Sequence, residues 1–372
     1  MATKAAEMRD DGVDVINFSV GEPDFNTPIH IINAGKKAMD DGYTKYTAGQ
    51  GMIDLRKAIC NKLFRENGID YEPSEILVSN GEKQSLYNAC QALFDNGDKV
   101  AIFSPYWVSF PEFVRLADAE PVIVKTLANE NFEPDFKDLL EKTTNQIRGV
   151  IINSPSNPTG GVWRSEAILK ILEIAKSKNW IVISDECYER LVYDGEFFSA
   201  EKLNRDHKIG ATVVTCISLS KTYAMTGWRI GYAAGPQTII SAMGKIQGQA
   251  TSCANSIGQI ASIEALTGDQ SCVEEMRLKF KERRNYIVNL LNDIPNINCA
   301  KPGGAFYVFP KVKKENMNSV EISKYLLEKK FIATVPGSSF GKNGEGFLRV
   351  SYASAFENLE KFIVCLKDLM NE

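Results

Sequence analysis

Lys221 lies within Ser218-Leu-Ser-Lys-Thr-Tyr-Ala-Met-Thr-Gly-Trp-Arg229, after the apolar run Val213–Ile217 and among small hydroxyl residues. A lysine amine condenses with a carbonyl compound only when it is held beside that carbonyl and can shed its proton. Ser218 and Ser220 precede it and Arg229 follows eight residues on. These are donor types that a phosphate requires, the arginine as a bidentate fork. One stretch therefore offers a covalent handle and much of an anion site, the needs of a phosphorylated aldehyde.

Other residues complete that chemistry. A pyridine-aldehyde cofactor, pyridoxal phosphate, needs its ring nitrogen kept protonated so that the ring can absorb electrons from a substrate carbanion. A carboxylate against that nitrogen favours the charged form, and Asp185 is the candidate. Tyr188, one turn on, and Asn157 can hydrogen-bond the ring's 3′-oxygen. The turn Asn80-Gly81-Glu82-Lys83 opens a helix, so its backbone N–H groups can face a phosphate. Lys221 is expected to hold the cofactor covalently. Once displaced by substrate, it would carry a proton between the substrate α-carbon and the cofactor.

These groups must be positioned by a sheet. From about residue 75 to 234 the chain alternates β-branched runs with helical patterns. The runs are 75–79, 99–103, 121–124, 149–153, 180–184, 212–217 and 229–234. Helices are expected at 82–94 and at 165–178, the latter with Ser165 as N-cap. Such alternation predicts an α/β fold with a mostly parallel, seven-stranded sheet between helices. Asn157, Asp185, Tyr188, Lys221 and the 80–83 turn all follow strand ends, where open α/β sheets collect ligands. Beyond residue 235, long helices are expected over 236–266 and 272–291. Short strands follow near 306–309, 332–335 and 347–350, then a final helix from Ser354 with a capping box to Glu357. This portion reads as a smaller α+β domain with which the N-terminal residues pack.

Composition narrows the function classes. The 372 residues are 44% hydrophobic and 24% charged, with a net charge of −4. That gives no reason to expect nucleic acid or an anionic membrane as partner. No apolar run approaches the roughly 20 residues that span a bilayer, and the first residues lack the apolar stretch of a signal peptide. Eight cysteines without a CxxC pair read as reduced thiols of a cytoplasmic protein. Two histidines, His30 and His207, are too few for a multi-histidine site, and no metal is expected.

The stretch SLSKTYAMTGWRIGY resembles the cofactor-attachment signature of class I aminotransferases, which depend on pyridoxal 5′-phosphate. The resemblance extends over essentially the whole chain, through Gly21–Phe25, Lys45–Gly49, Ser104–Ser109, Asn153–Gly160, Ser184–Glu186, Gly303–Tyr307 and Leu348–Tyr352. It is nearest to the bacterial aspartate and aspartate/prephenate enzymes. It implies fold type I, with a large cofactor-binding domain over 28–277 and a small domain from 1–27 and 278–372. It also implies a homodimer with shared active sites and ping-pong transfer of an amino group from L-aspartate to 2-oxoglutarate. By this resemblance Arg349 clamps the substrate α-carboxylate with help from the backbone of Gly21, and Trp107 stacks on the pyridine ring. Tyr46 reaches the phosphate of the neighbouring subunit's cofactor, and Lys83 meets a side-chain carboxylate. Glu82 departs from the pattern, in which this position is usually small. A carboxylate beside a phosphate is repulsive unless it turns away. The alternatives are a prephenate, aromatic or broad-range aminotransferase, a β-lyase on the same fold, or a silent protein that keeps the fold for binding. The last requires decay of Lys221, Asp185, Arg229 or Arg349, and all four are present.

Overall fold

The structure is a computed structural model that describes residues 2–372. Its main sheet runs in the order 76–79, 231–234, 212–218, 181–185, 147–153, 99–104, 120–127 and 133–134. The strands from 212–218 to 120–127 are mutually parallel. Strand 231–234 is antiparallel to both of its neighbours. Seven strands match the sequence expectation. The eighth is Glu133–Pro134, which pairs antiparallel with the end of 120–127. Two residues with a proline leave no alternation to read.

Period-2 alternation distributes the sheet's side chains between two helical layers. Ile151, Ile183 and Val214 face one layer, with Leu86 and Cys90 of helix Glu82–Leu93 and Met243. Val150, Val182 and Val213 face the other, with Ile168, Leu172 and Ala175 of helix Ser165–Lys178. Burial on both faces explains why these strands read as continuous apolar runs. Among the described residues no helix is long and apolar enough to cross a membrane.

A separate core holds the C-terminal elements. Strand Leu348–Ser351 lies between Tyr307–Val308 and Val335–Pro336. Ile16–Asn17 pairs in parallel with Ile332–Ala333, which ties the N-terminal segment to this region. Helix Phe356–Asn371 packs Leu359, Phe362, Leu366 and Leu369 inward. The 22-residue helix Ser271–Asn292 serves both bodies: Val273 belongs to a large-sheet core, while Met276, Phe280, Ile287 and Leu291 belong to the C-terminal one.

Several local expectations need correction. The apolar stretch 236–266 is two helices, Gln237–Ala250 and Ser256–Thr267. Ser252 takes a left-handed φ of 64°, and Asn255 caps the second helix by accepting from Gly258 N–H. Ser165 is the first helical residue rather than the cap. The last helix starts at Phe356, and Ser354 Oγ accepts from Asn358 Nδ2 instead of closing a capping box. Arg229 lies outside the strand, in a left-handed conformation at φ 56°.

Phe280 is fully buried with ring centroids 5.4 Å from both Phe25 and Phe306. Phe280→Ala should cost about 3–5 kcal/mol of stability. Urea unfolding measures this, and a loss below about 1 kcal/mol would contradict a tightly packed ring here.

Candidate active site

Strand register gathers the candidate residues before any side chain is considered. Asn153 pairs with Asp185, and Asp185 with Cys216. Gly231 pairs with Ser218 on one side and Ser79 on the other. The carboxyl ends of strands 76–79, 147–153, 181–185 and 212–218 therefore share one rim. Arg349 arrives from the C-terminal sheet, where the pairing of Tyr307 with Ser351 places Tyr307 and Arg349 on one face. Together they enclose a cavity of about 490 Å³. Of the fourteen residues expected from sequence, all but Gly81 and Tyr46 line it.

One end of the cavity is built for an anion. Ser218 Oγ accepts from Ser220 N–H at 3.1 Å, closing the turn that leads to Lys221. Arg229 donates from Nη1 to Thr226 O at 2.8 Å, and its guanidinium lies against Gly81. A Cβ on Gly81 would lie 2.2 Å from Arg229 Nη2, and φ there is +80°. A Cβ on Gly231 would lie 2.3 Å from Glu82 N. Both glycines let the helix N-terminus close onto the strand ends, and the first N–H groups of a helix have no partner within it.

Lys221 Nζ donates to Gly21 O at 2.6 Å. Burial holds its pKa below the ordinary lysine range. Asp185 Oδ1 accepts Cys187 N–H at 3.1 Å, and burial raises its carboxyl to about 6. Glu82 turns away from the anion end. Its carboxyl oxygen, that of Asp185 and Cys187 Sγ all lie within 4.8 Å of one another. Burial, then the charge of Asp185, push Glu82 well above the usual carboxylate range.

At the opposite side Arg349 is 7% exposed. It donates from Nη1 to Asn157 Oδ1 at 3.1 Å and from Nη2 to Ser19 O at 2.5 Å, while Nε is buried without a partner. Its guanidinium carbon stands 4.7 Å from the Tyr307 ring centroid. No carboxylate among the described residues pairs with it. A buried guanidinium so placed is suited to an incoming one. Asn157 N–H donates to Asn153 Oδ1 at 2.9 Å, fixing the loop that presents it. Tyr188 and Tyr307 share a hydroxyl hydrogen bond of 2.9 Å. Trp107 packs edge-on against Phe110 and Phe113, with Lys83 Nζ 4.9 Å from its ring centroid. Burial, then Arg229, lower the pKa of Lys83. Tyr46 stands apart, 91% exposed beside surface grooves.

The family profile described as aminotransferase class I and II matches residues 13–365. The chain belongs to that family. The aspartate/prephenate aminotransferase of Nitrosomonas europaea is 40% identical over 100% of this chain and 96% of its own. The aspartate aminotransferase of Geobacillus stearothermophilus is 43% identical over 96% of this chain and 91% of its own. The structure of the Thermus thermophilus aspartate aminotransferase with maleate superposes with a TM-score of 0.94 at 38% identity, covering 99% and 95% of the two chains. Those of this aminotransferase and its relatives thus share one α/β fold, fold type I.

Four lining residues were not singled out from sequence: Tyr307, Cys187, Asn153 and Val108. Tyr307 was visible only as the last residue of Gly303–Tyr307. Its part in the cavity follows from pairing with a strand distant in sequence. Tyr307 also explains Gly21, where a Cβ would lie 2.5 Å from the tyrosine hydroxyl.

Gly81→Ala should push the Arg229 guanidinium aside. Stabilisation of the protein by inorganic phosphate, read as a rise in Tm, should fall by roughly tenfold in apparent affinity. An unchanged phosphate response would remove Arg229 and this turn from the anion site.

Proposed function

We propose that this aminotransferase moves the amino group of L-aspartate to 2-oxoglutarate, with pyridoxal 5′-phosphate attached at Lys221. The observation that carries the reading is a buried Arg349, unpaired with any described carboxylate, facing the same cavity as a lysine whose amine is driven toward neutrality. Membership of the family implies this cofactor, and the residues present fit it. Ser218, Ser220, Arg229 and the amides after Gly81 offer donors for the phosphate. Asp185 offers a carboxylate for the ring nitrogen, Trp107 a flat face, and Asn157 and Tyr188 hydrogen bonds for the 3′-oxygen. When bound, the cofactor supplies an aldehyde for amines and a ring that takes up the electron pair left on the substrate α-carbon.

The chain's own groups do the rest. Arg349 holds the α-carboxylate, and its bond to Asn157 fixes the distance between that clamp and the ring site. Lys221 takes and returns the α-proton, for which a depressed pKa favours the neutral base. Gly21 O keeps Nζ turned toward the substrate side. Lys83, at the cavity edge, receives the second carboxylate of a dicarboxylic substrate. Prephenate also carries two carboxylates, and relatives are named aspartate/prephenate aminotransferases. The apolar surface of Trp107 and Val108 in the cavity supports it as a second amino acceptor. The protein is read as a cytoplasmic homodimer in which exposed Tyr46 meets the partner's cofactor phosphate. The division into a 28–277 domain and a domain of 1–27 with 278–372 belongs to the same reading.

Purified protein reduced with borohydride in the presence of pyridoxal 5′-phosphate should carry the label at Lys221. Lys221→Ala should lose at least about 10³-fold in turnover. Normal turnover by that variant would end the assignment. Lys83→Ala should lower kcat/KM for aspartate and glutamate by about tenfold or more, and for alanine and phenylalanine by less than about threefold. Equal losses on all four would remove the dicarboxylate assignment. Arg349→Lys should lower kcat/KM for every amino acid by about 10- to 100-fold, because one bidentate pair is lost.

A further inference from the structure

Glu82 is the group in the cavity that the proposed reaction does not use. It occupies the first position of helix Glu82–Leu93, 7% exposed, with Oε1 buried and unbonded. Gly231 fixes where it starts, because the backbone of Glu82 rests on that glycine. Its carboxyl reaches the carboxyl of Asp185 and the thiol of Cys187. Asp185 is itself held by the backbone, since Oδ1 accepts Cys187 N–H. Two carboxylates this close in a buried site cannot both ionise cheaply, so the pair retains one proton.

We propose that Glu82 is a positioning residue: a neutral glutamic acid that donates a hydrogen bond to Asp185 and so holds its carboxylate, singly charged and fixed in orientation, for the cofactor's ring nitrogen. This rests on the function proposed above. Geometry decides which acid keeps the proton. Asp185 already accepts a backbone N–H and therefore carries the charge better, whereas Glu82 has an oxygen with no donor, which suits a neutral group. The groups facing the pair agree. The groups that face Glu82 are Asp185, Cys187, Cys216 and Lys221. Burial keeps both cysteines protonated, so they add no charge. A neutral Glu82 also removes the conflict of a carboxylate on a helix start that receives phosphate.

The test uses the full-length protein, with and without pyridoxal 5′-phosphate. At neutral pH the infrared difference between wild type and Glu82→Gln should show the loss of one carbonyl band of a protonated carboxylic acid, since buried Glu186, pushed up to about 8, keeps its own band in both. Glu82→Gln keeps a donor of the same length and cannot ionise. It should bind pyridoxal 5′-phosphate within about threefold of wild type and keep the pH midpoint of the cofactor's absorbance. Glu82→Ala should weaken binding by roughly tenfold and move that midpoint. No protonated-acid band lost on Glu82→Gln, a Gln variant as impaired as the Ala variant, or a stoichiometric divalent ion in purified protein would each overturn the proposal. Failure of the wild type to take up the cofactor at Lys221 would instead sink the parent reading, and the infrared band separates the two.

Discussion

Everything at the site hangs on how closely one strand is approached from both sides. Gly231 sits opposite both Ser79 and Ser218 in the sheet and also lies under the backbone of Glu82. No side chain fits there. Three segments far apart in sequence are thereby fixed within reach of one another: the start of helix Glu82–Leu93, the turn bearing Lys221, and the turn bearing Arg229. The antiparallel direction of strand 231–234 matters as much as its lack of a side chain. It begins at the rim where its two neighbours end, so the phosphate donors and the amine emerge at one level.

Charge is distributed within that frame with little waste. Lys83, Lys221, Arg229 and Arg349 all line the cavity, against Glu82 and Asp185. Lys83 and Arg229 are exposed, so the buried cation that costs free energy until anions arrive is Arg349. In the proposed reaction a phosphate and the carboxylates of a small dicarboxylic acid supply them. The site is thus folded at some expense and completed by what it binds, which is a common source of affinity in preorganised sites. Asp185 is the exception in sign, buried deep and tied to Cys187, and in the proposed reaction it serves a ring that must stay cationic.

Much of this was legible in the residues. The parallel sheet was readable because both faces are buried, so its strands are unbroken apolar runs, and Asn157, Asp185, Tyr188 and Lys221 follow their ends. Arg349 and Trp107 were legible only through family resemblance: an arginine in a short strand does not announce an ion site. Tyr307 escaped because its role comes from register across a sheet built of distant segments. The break at 251–255 escaped because its apolar pattern continues, and a left-handed Ser252 with an Asn255 cap decides the matter locally. Glu82 was noticed for its identity but not its direction, since which way a helix-start side chain turns depends on the neighbour that Gly231 leaves room for.

The helix Ser271–Asn292 has a mechanical implication. Its first turn is anchored with the elements that carry Lys221, and the remainder with those that carry Arg349. Tyr188, just past strand 181–185, packs in the same core as Leu348 and Val350 and adds a second tie between the two. The spacing between amine and carboxylate clamp is thus carried by one helix and one buried tyrosine, so loosening either would shift that spacing without touching the amine or the guanidinium.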